Sequence, residues 1–430
     1  MLVLKSNWIL GIAVATALST TGWAQAEKKK DLIDRAEYDL VQAIGKETAP
    51  AKKVELLQQW KQKYPETAFK LERLGMFLGA YQALGRAAEM LATAKELTTL
   101  DLKGVDGYYW ICALTISMAN TSADALDTGE KAGKTLLANL DEAFAPAKKP
   151  AQEPDAQWTA RRKSFEMQAH NTLGWVAMQR KSFEDAEKAF MKSLELVPNN
   201  GQVSYWLGTS LLGTKKADKQ FQALYHFARA AAYSGEGALN EAGRKQVQSY
   251  LEKIYTQYRG DKSELDSLLA KAKDNPLPGG FYIKNKLELQ HEAEEKFKES
   301  NPQLALWMTV KKELVTPQGA KYFEDNVKGT ALPKLRGKVI ATKPVAKPKE
   351  IVVAIVEANT PEITLKLETA MATKADPGTE IEFEGVPSAF TPEPFMLTVD
   401  VEGPEKISGW PAPPKPAAKK PAAKKPAPQK

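Results

Sequence analysis

A Leu-Gly pair recurs at a fixed interval: Leu173-Gly174, then Leu207-Gly208 34 residues later. Around the first pair the order is His170-x₂-Leu173-Gly174-x₂-Ala177, then Ala186-x₃-Phe190, then Pro198. Small residues stand where two helices must cross closely, an aromatic fills the gap to the next unit, and a proline ends the second helix because it cannot donate the next backbone hydrogen bond. A period of this length describes one helical hairpin, which cannot bury its apolar face alone. Such units must stack, and stacking produces an extended surface suited to holding a partner.

These residues and their spacing resemble the tetratricopeptide repeat. Together with the N-terminal leader described below, they resemble an exported bacterial protein of that family. The resemblance implies that partners lie against the first helix of each hairpin, at its second, fifth, ninth and twelfth positions. In the clear repeat these are Gln168, Asn171, Trp175 and Met178, and in the next they are Gln202, Tyr205, Thr209 and Leu212. Packing between neighbouring helices is the alternative role for Trp175 and Tyr205. The family's clamp for acidic C-terminal peptides uses Lys, Arg and Asn at such positions. Asn171 fits, but no basic residue accompanies it, so a groove recognising apolar or aromatic groups is expected.

The helical pattern runs from Lys28 to about Lys273. Leu40, Val41 and Ile44 share one face, as do Leu56, Leu57, Trp60 and Tyr64, and Pro65 closes the pair. Leu71, Leu74-Gly75 and Leu78, followed by Ala87, Leu91 and Ala94, mark a second hairpin. A third, degenerate unit runs from Tyr109 through Cys112-Ala113 to Ala132. Three prolines between Ala145 and Asp155 break the pattern before the clear repeats begin near Arg161. After Leu207-Gly208 the second helix arrives three residues late, which implies a longer turn around Gly213 to Asp218. A single helix carrying Leu251, Ile254, Tyr255 and Tyr258 is expected to cap the array.

Beyond Leu335 the period changes to alternation. Ile363, Leu365 and Leu367 interleave with polar residues, and Ile381 and Phe383 with Glu380, Glu382 and Glu384. Five strands are expected, at Leu335–Thr342, Glu350–Glu357, Glu362–Glu368, Thr379–Val386 and Phe395–Val401. They would form a small antiparallel barrel or sandwich of OB-like character. The fold class is thus mainly α, a tetratricopeptide-like solenoid followed by this β domain. The expected segments are a signal peptide at 1–26, degenerate hairpins at 27–144, and repeats with a capping helix at 161–273. A linker with helices follows at 274–330, then the β domain at 331–408 and a Lys/Pro/Ala tail at 409–430.

Lys5, the uncharged apolar run Trp8 to Trp23 and Ala24-Gln25-Ala26 have the form of a secretory signal cleaved after Ala26, which implies a periplasmic or secreted protein. No transmembrane segment is expected after that cleavage. The formal charge of +7 is accounted for by Lys5 and the six tail lysines, Lys415, Lys419, Lys420, Lys424, Lys425 and Lys430. The body between is neutral, so no nucleic-acid partner is expected. The tail lacks the apolar content to fold. Its lysines suit an anionic envelope polymer, giving an alternative function through the tail and β domain.

No catalytic constellation and no cofactor site is legible. His170, His226 and His291 have no metal-ligand spacing. The lone Cys112 sits in an apolar run, as an inert buried thiol would, and offers no disulfide framework. Glu380, Glu382 and Glu384 along one strand face would repel phosphates. The expected function is a non-catalytic extracytoplasmic scaffold holding a protein partner in the repeat groove.

Overall fold

The computed structural model describes residues 31–357 and 359–413. The expected leader and all six tail lysines lie outside the described residues. The chain divides between Lys286 and Leu287 into two compact units.

The first unit is a run of consecutive helix pairs: α1 Arg35–Lys46 with α2 Pro50–Lys63, α3 Lys70–Ala83 with α4 Ala87–Leu100, and α5 Asp106–Met118 with α6 Ala123–Ala143. Then come α7 Asp155–Gln179 with α8 Phe183–Leu196, α9 Gly201–Gly213 with α10 Gln220–Ala232, and α11 Glu241–Arg259 with α12 Leu265–Asp274. Side-chain caps start several of them. At α1, Asp34 Oδ1 accepts from the Glu37 amide at 2.8 Å, while the Glu37 carboxylate reaches back one residue past the cap to accept from the Ile33 amide at 2.6 Å. The same carboxylate accepts from Trp60 Nε1 at 2.7 Å, tying α1 to α2.

The repeat is written most plainly in the backbone. From the second pair on, each first helix ends on a left-handed residue: Gly85 (φ 67°), Ala119 (φ 49°), Lys181 (φ 62°), Lys215 (φ 58°) and Gly260 (φ 102°). Gly85 and Ala119 are 34 residues apart, and so are Lys181 and Lys215. Hydrogen bonds from Arg86 N to Tyr81 O and from Ser182 N to Ala177 O, both 2.9 Å, close these turns in the manner of a Schellman cap. The degenerate third unit therefore keeps the period of the clear one. Gly174 and Gly208 stand at close crossings, as expected. A Cβ on Gly174 would lie 2.6 Å from the Phe190 ring, and one on Gly208 would lie 3.1 Å from the Phe227 ring. Phe190 and Phe227 are buried in one continuous core running from α7 to α12, while Trp60, Phe77, Cys112 and Leu136 belong to a second core under α1–α6.

Three local expectations change. α7 starts at Asp155, six residues before Arg161, because Pro154 ends the break and Trp158 and Phe165 pack on Phe144 at 4.8 and 5.6 Å. The cap is a hairpin and not a single helix, since α12 buries Leu265, Leu268 and Ala272. The residues after it fold back instead of linking freely. Phe281 and Tyr282 lie 6.0 and 5.0 Å from the Phe221 ring, and Tyr258 donates its hydroxyl to the Ile283 carbonyl at 2.9 Å.

The second unit takes in all but the first residue of α13 Lys286–Ser300, then α14 Pro302–Leu314, α15 Gly319–Tyr322 and seven described strands. These are β1 Leu335–Lys343, β2 Glu350–Ala354, β3 Ile363–Leu367, β4 Glu380–Phe383, β5 Val386–Pro392, β6 Phe395–Val401 and β7 Ile407–Ser408. The expected alternation places Ile351, Val353, Ile363, Leu365, Ile381, Phe383, Leu397 and Val399 on the buried face. The topology corrects the antiparallel barrel. The order is β5-β6-β3-β2-β1-β4-β7, β3 pairs with β6 in parallel, and among the described residues no ladder joins β5 to β7, so the sheet is mixed and open. One turn of α14 anchors it: Glu362, fully buried, accepts from Trp307 Nε1 at 3.1 Å and from the amides of Ile355 and Val356 at 3.2 and 3.1 Å, and pairs with Lys311. Glu380, Glu382 and Glu384 do not form a bare acidic face. Cross-strand Arg336, Lys334 and Lys338, with Lys406, neutralise them.

Candidate partner-binding surface

Among the first helices, α5 touches α7 and α7 touches α9 past the intervening second helices, so their outward sides form one continuous surface. The eight expected contact residues divide along it. Gln168, Asn171 and Trp175 are buried, at 9, 6 and 5 % exposure. Asn171 Oδ1 accepts from Ser193 Oγ at 2.5 Å, joining α7 to α8. Gln168 Nε2 donates to Thr172 Oγ1 at 3.3 Å, and Thr172 in turn donates to the Cys112 carbonyl at 3.0 Å, joining α7 to α5. Trp175 is part of the core. Their polar atoms are spent inside the array.

The other five, Met178, Gln202, Tyr205, Thr209 and Leu212, are half-buried, each keeping part of its side chain in solvent. Met178, Tyr205 and Leu212 pack against the core from outside. The Tyr205 ring stands edge-on to Phe227 with centroids 5.7 Å apart, and Phe227 in turn meets Tyr250 of α11 at 5.2 Å. Burial pushes both phenols above their ordinary range, and for Tyr205 a hydrogen bond with Thr209 works in the other direction. Tyr250 and Ile254 thus extend the same band, half-buried and uncharged. Sequence spacing missed Tyr250, because a strict 34-residue step from Tyr205 lands on Leu239, before α11 begins.

Cys112, His170 and His226 lie on three different helices, α5, α7 and α10. Cys112 is buried and burial pushes its thiol up to about 12. His226 is buried in α10, while His170 in α7 is half-buried and held below the usual imidazole range by that burial. Among the described residues no three His, Cys, Asp or Glu side chains gather as metal ligands, and no helix is long and apolar enough to cross a membrane.

The first unit has the tetratricopeptide-type helical-hairpin fold. Solved structures are similar to the chain. One is a MamA protein, at 13 % identity with a TM-score of 0.33, covering 52 % of this chain and 93 % of that one. Another is a thermophilic tetratricopeptide protein of Thermus thermophilus, at 16 % identity and TM-score 0.28, covering 50 % and 95 %. A third is a tetratricopeptide protein of Parabacteroides merdae, at 12 % and 0.27, covering 56 % and 90 %. The αL caps and the glycine–phenylalanine crossings are what define the hairpin fold in this chain. No protein-family model and no curated protein matches the chain.

Proposed function

We propose that the protein is a non-catalytic scaffold that holds a protein partner along the outward side of α7, α9 and α11. The observation that carries this reading is the uncharged, half-buried band Met178–Tyr205–Thr209–Leu212–Tyr250–Ile254. Tyrosines braced by a buried phenylalanine present apolar surface and a hydroxyl at little entropic cost, as interface anchors do. The absence of charge from the band favours an apolar or aromatic segment over an acidic terminus. Export to the periplasm, with cleavage after Ala26, belongs to the same proposal, and N-terminal sequencing of the mature protein tests it.

The binding test uses the full-length protein and the partner recovered by cross-linking in native cells. Tyr205→Ala and Thr209→Arg are expected to weaken binding at least about tenfold, the loss of one interface anchor. Gln222→Arg, on the exposed side of α10, should leave it unchanged. Equal binding by all three variants contradicts the proposal, as does retention of the partner by residues 300–430 alone.

A further inference from the structure

His226 occupies the middle of α10, a helix with ten of its thirteen residues buried against α9, α11 and α12. It is 3 % exposed, and among the described residues its Nδ1 has no hydrogen-bond partner. The side chains flanking it hold the end of α12. On one side Tyr225 donates its hydroxyl to the Asn275 carbonyl at 3.0 Å. On the other, Arg229 Nη1 donates to the Ala272 carbonyl at 3.1 Å and to that of Lys273, while Nη2 donates to Asn199 Oδ1 at 2.7 Å. A guanidinium on the last carbonyls of a helix suits their partial negative charge. α10 is therefore both the most buried helix of this half and the clamp on its last one.

We propose that His226 makes α9–α12 an acid-labile segment, which opens ahead of α3–α6 as the pH falls through the imidazole range. An imidazolium in this position would be a buried cation. Of the titratable or charged groups near it, Tyr225 and Arg229 stand on α10 itself, Tyr205 from α9 and Tyr250 from α11 pack on the adjacent Phe227, and Asp274 closes α12. Asp274 acts on Arg229, and no acid contributes at His226: burial is the one cause that holds its pKa down to about 4. The fold thus favours the neutral ring. That stability is fully present above the unfolded value of 6.5 and is lost progressively as the pH falls towards 4. Glu37 in α1, whose carboxyl is held low by its hydrogen bonds from Thr67, Ile33 and Trp60 against the opposing effect of burial, loses its contribution only below the carboxylate range. A measurement at pH 5 therefore separates the two. The inference does not depend on the binding reading.

Amide hydrogen exchange on the intact protein, corrected for intrinsic rates, tests it. Between pH 7 and pH 5, protection of α9–α12 is expected to fall about 20-fold, while that of α3–α6 holds. His226→Gln should abolish the fall and His170→Gln should keep it. Unchanged wild-type protection overturns the proposal, and so does an equal fall in His226→Gln. Should that variant not fold, imidazole NMR titration of the wild type decides: a His226 ring titrating near 6.5 in the folded protein overturns the inference, and one neutral at pH 5 supports it.

Discussion

Lys181 and Lys215 carry more information than their exposure suggests. Both stand in left-handed backbone at the end of a first helix, where Gly85 and Gly260 close the equivalent turns. A side chain with a Cβ is strained there, at a cost of roughly 1–2 kcal/mol, partly offset by the greater unfolded-state entropy of glycine. Lys181→Gly and Lys215→Gly are each expected to stabilise the first unit by about 0.5–1 kcal/mol, readable as a higher denaturant midpoint. A fall in the midpoint for both would contradict the turn geometry. Sequence reading located Gly174, Gly208, Phe190 and Phe227 because their chemistry matches their task. It passed over Lys181 and Lys215 because lysine announces nothing about a positive φ. Gln168, Asn171 and Trp175 show the converse: correct repeat positions, but the neighbouring α5 and α8 use them for packing.

At the level of elements, helices were legible and strand partners were not. Apolar periodicity fixes which face of a segment is buried, and that was enough to place α1–α11. It does not say which strand lies beside which, so the parallel β3–β6 pairing and the edge strands β5 and β7 escaped the pattern. α12 escaped because its ten residues are a short segment with lysines among its apolar positions. In the second unit, the anchoring of α14 is open to test. Glu362 has no solvent exposure, and Lys311 supplies the opposing charge. Lys311→Met leaves that carboxylate with Trp307 and two amides but without a cation. The second unit is expected to lose about 2–4 kcal/mol at pH 7, by denaturant unfolding monitored at Trp307. No loss would show that the pair has no structural weight. Adding Glu362→Gln to Lys311→Met should recover part of the loss, because the buried charge is then gone.

For the whole molecule, the chain is a helical-hairpin unit and a sheet unit with separate cores. The formal charge of +7 is matched by Lys5 and the six lysines between 415 and 430, all beyond the described residues. What distinguishes the hairpin unit is that six half-buried side chains on its first helices, Met178, Tyr205, Thr209, Leu212, Tyr250 and Ile254, carry no charge, while ion pairs such as Arg162–Asp141 and Lys192–Glu195 lie elsewhere on its surface. Site-specific photo-cross-linking in native cells addresses that contrast most directly, with the photoreactive side chain placed in turn at Thr209, Leu212 and Tyr250, and at Lys188 and Gln222 on second helices. The account predicts one and the same protein adduct from the first three positions and none from the other two. Adducts of equal yield from all five, or from Lys188 and Gln222 alone, would contradict it.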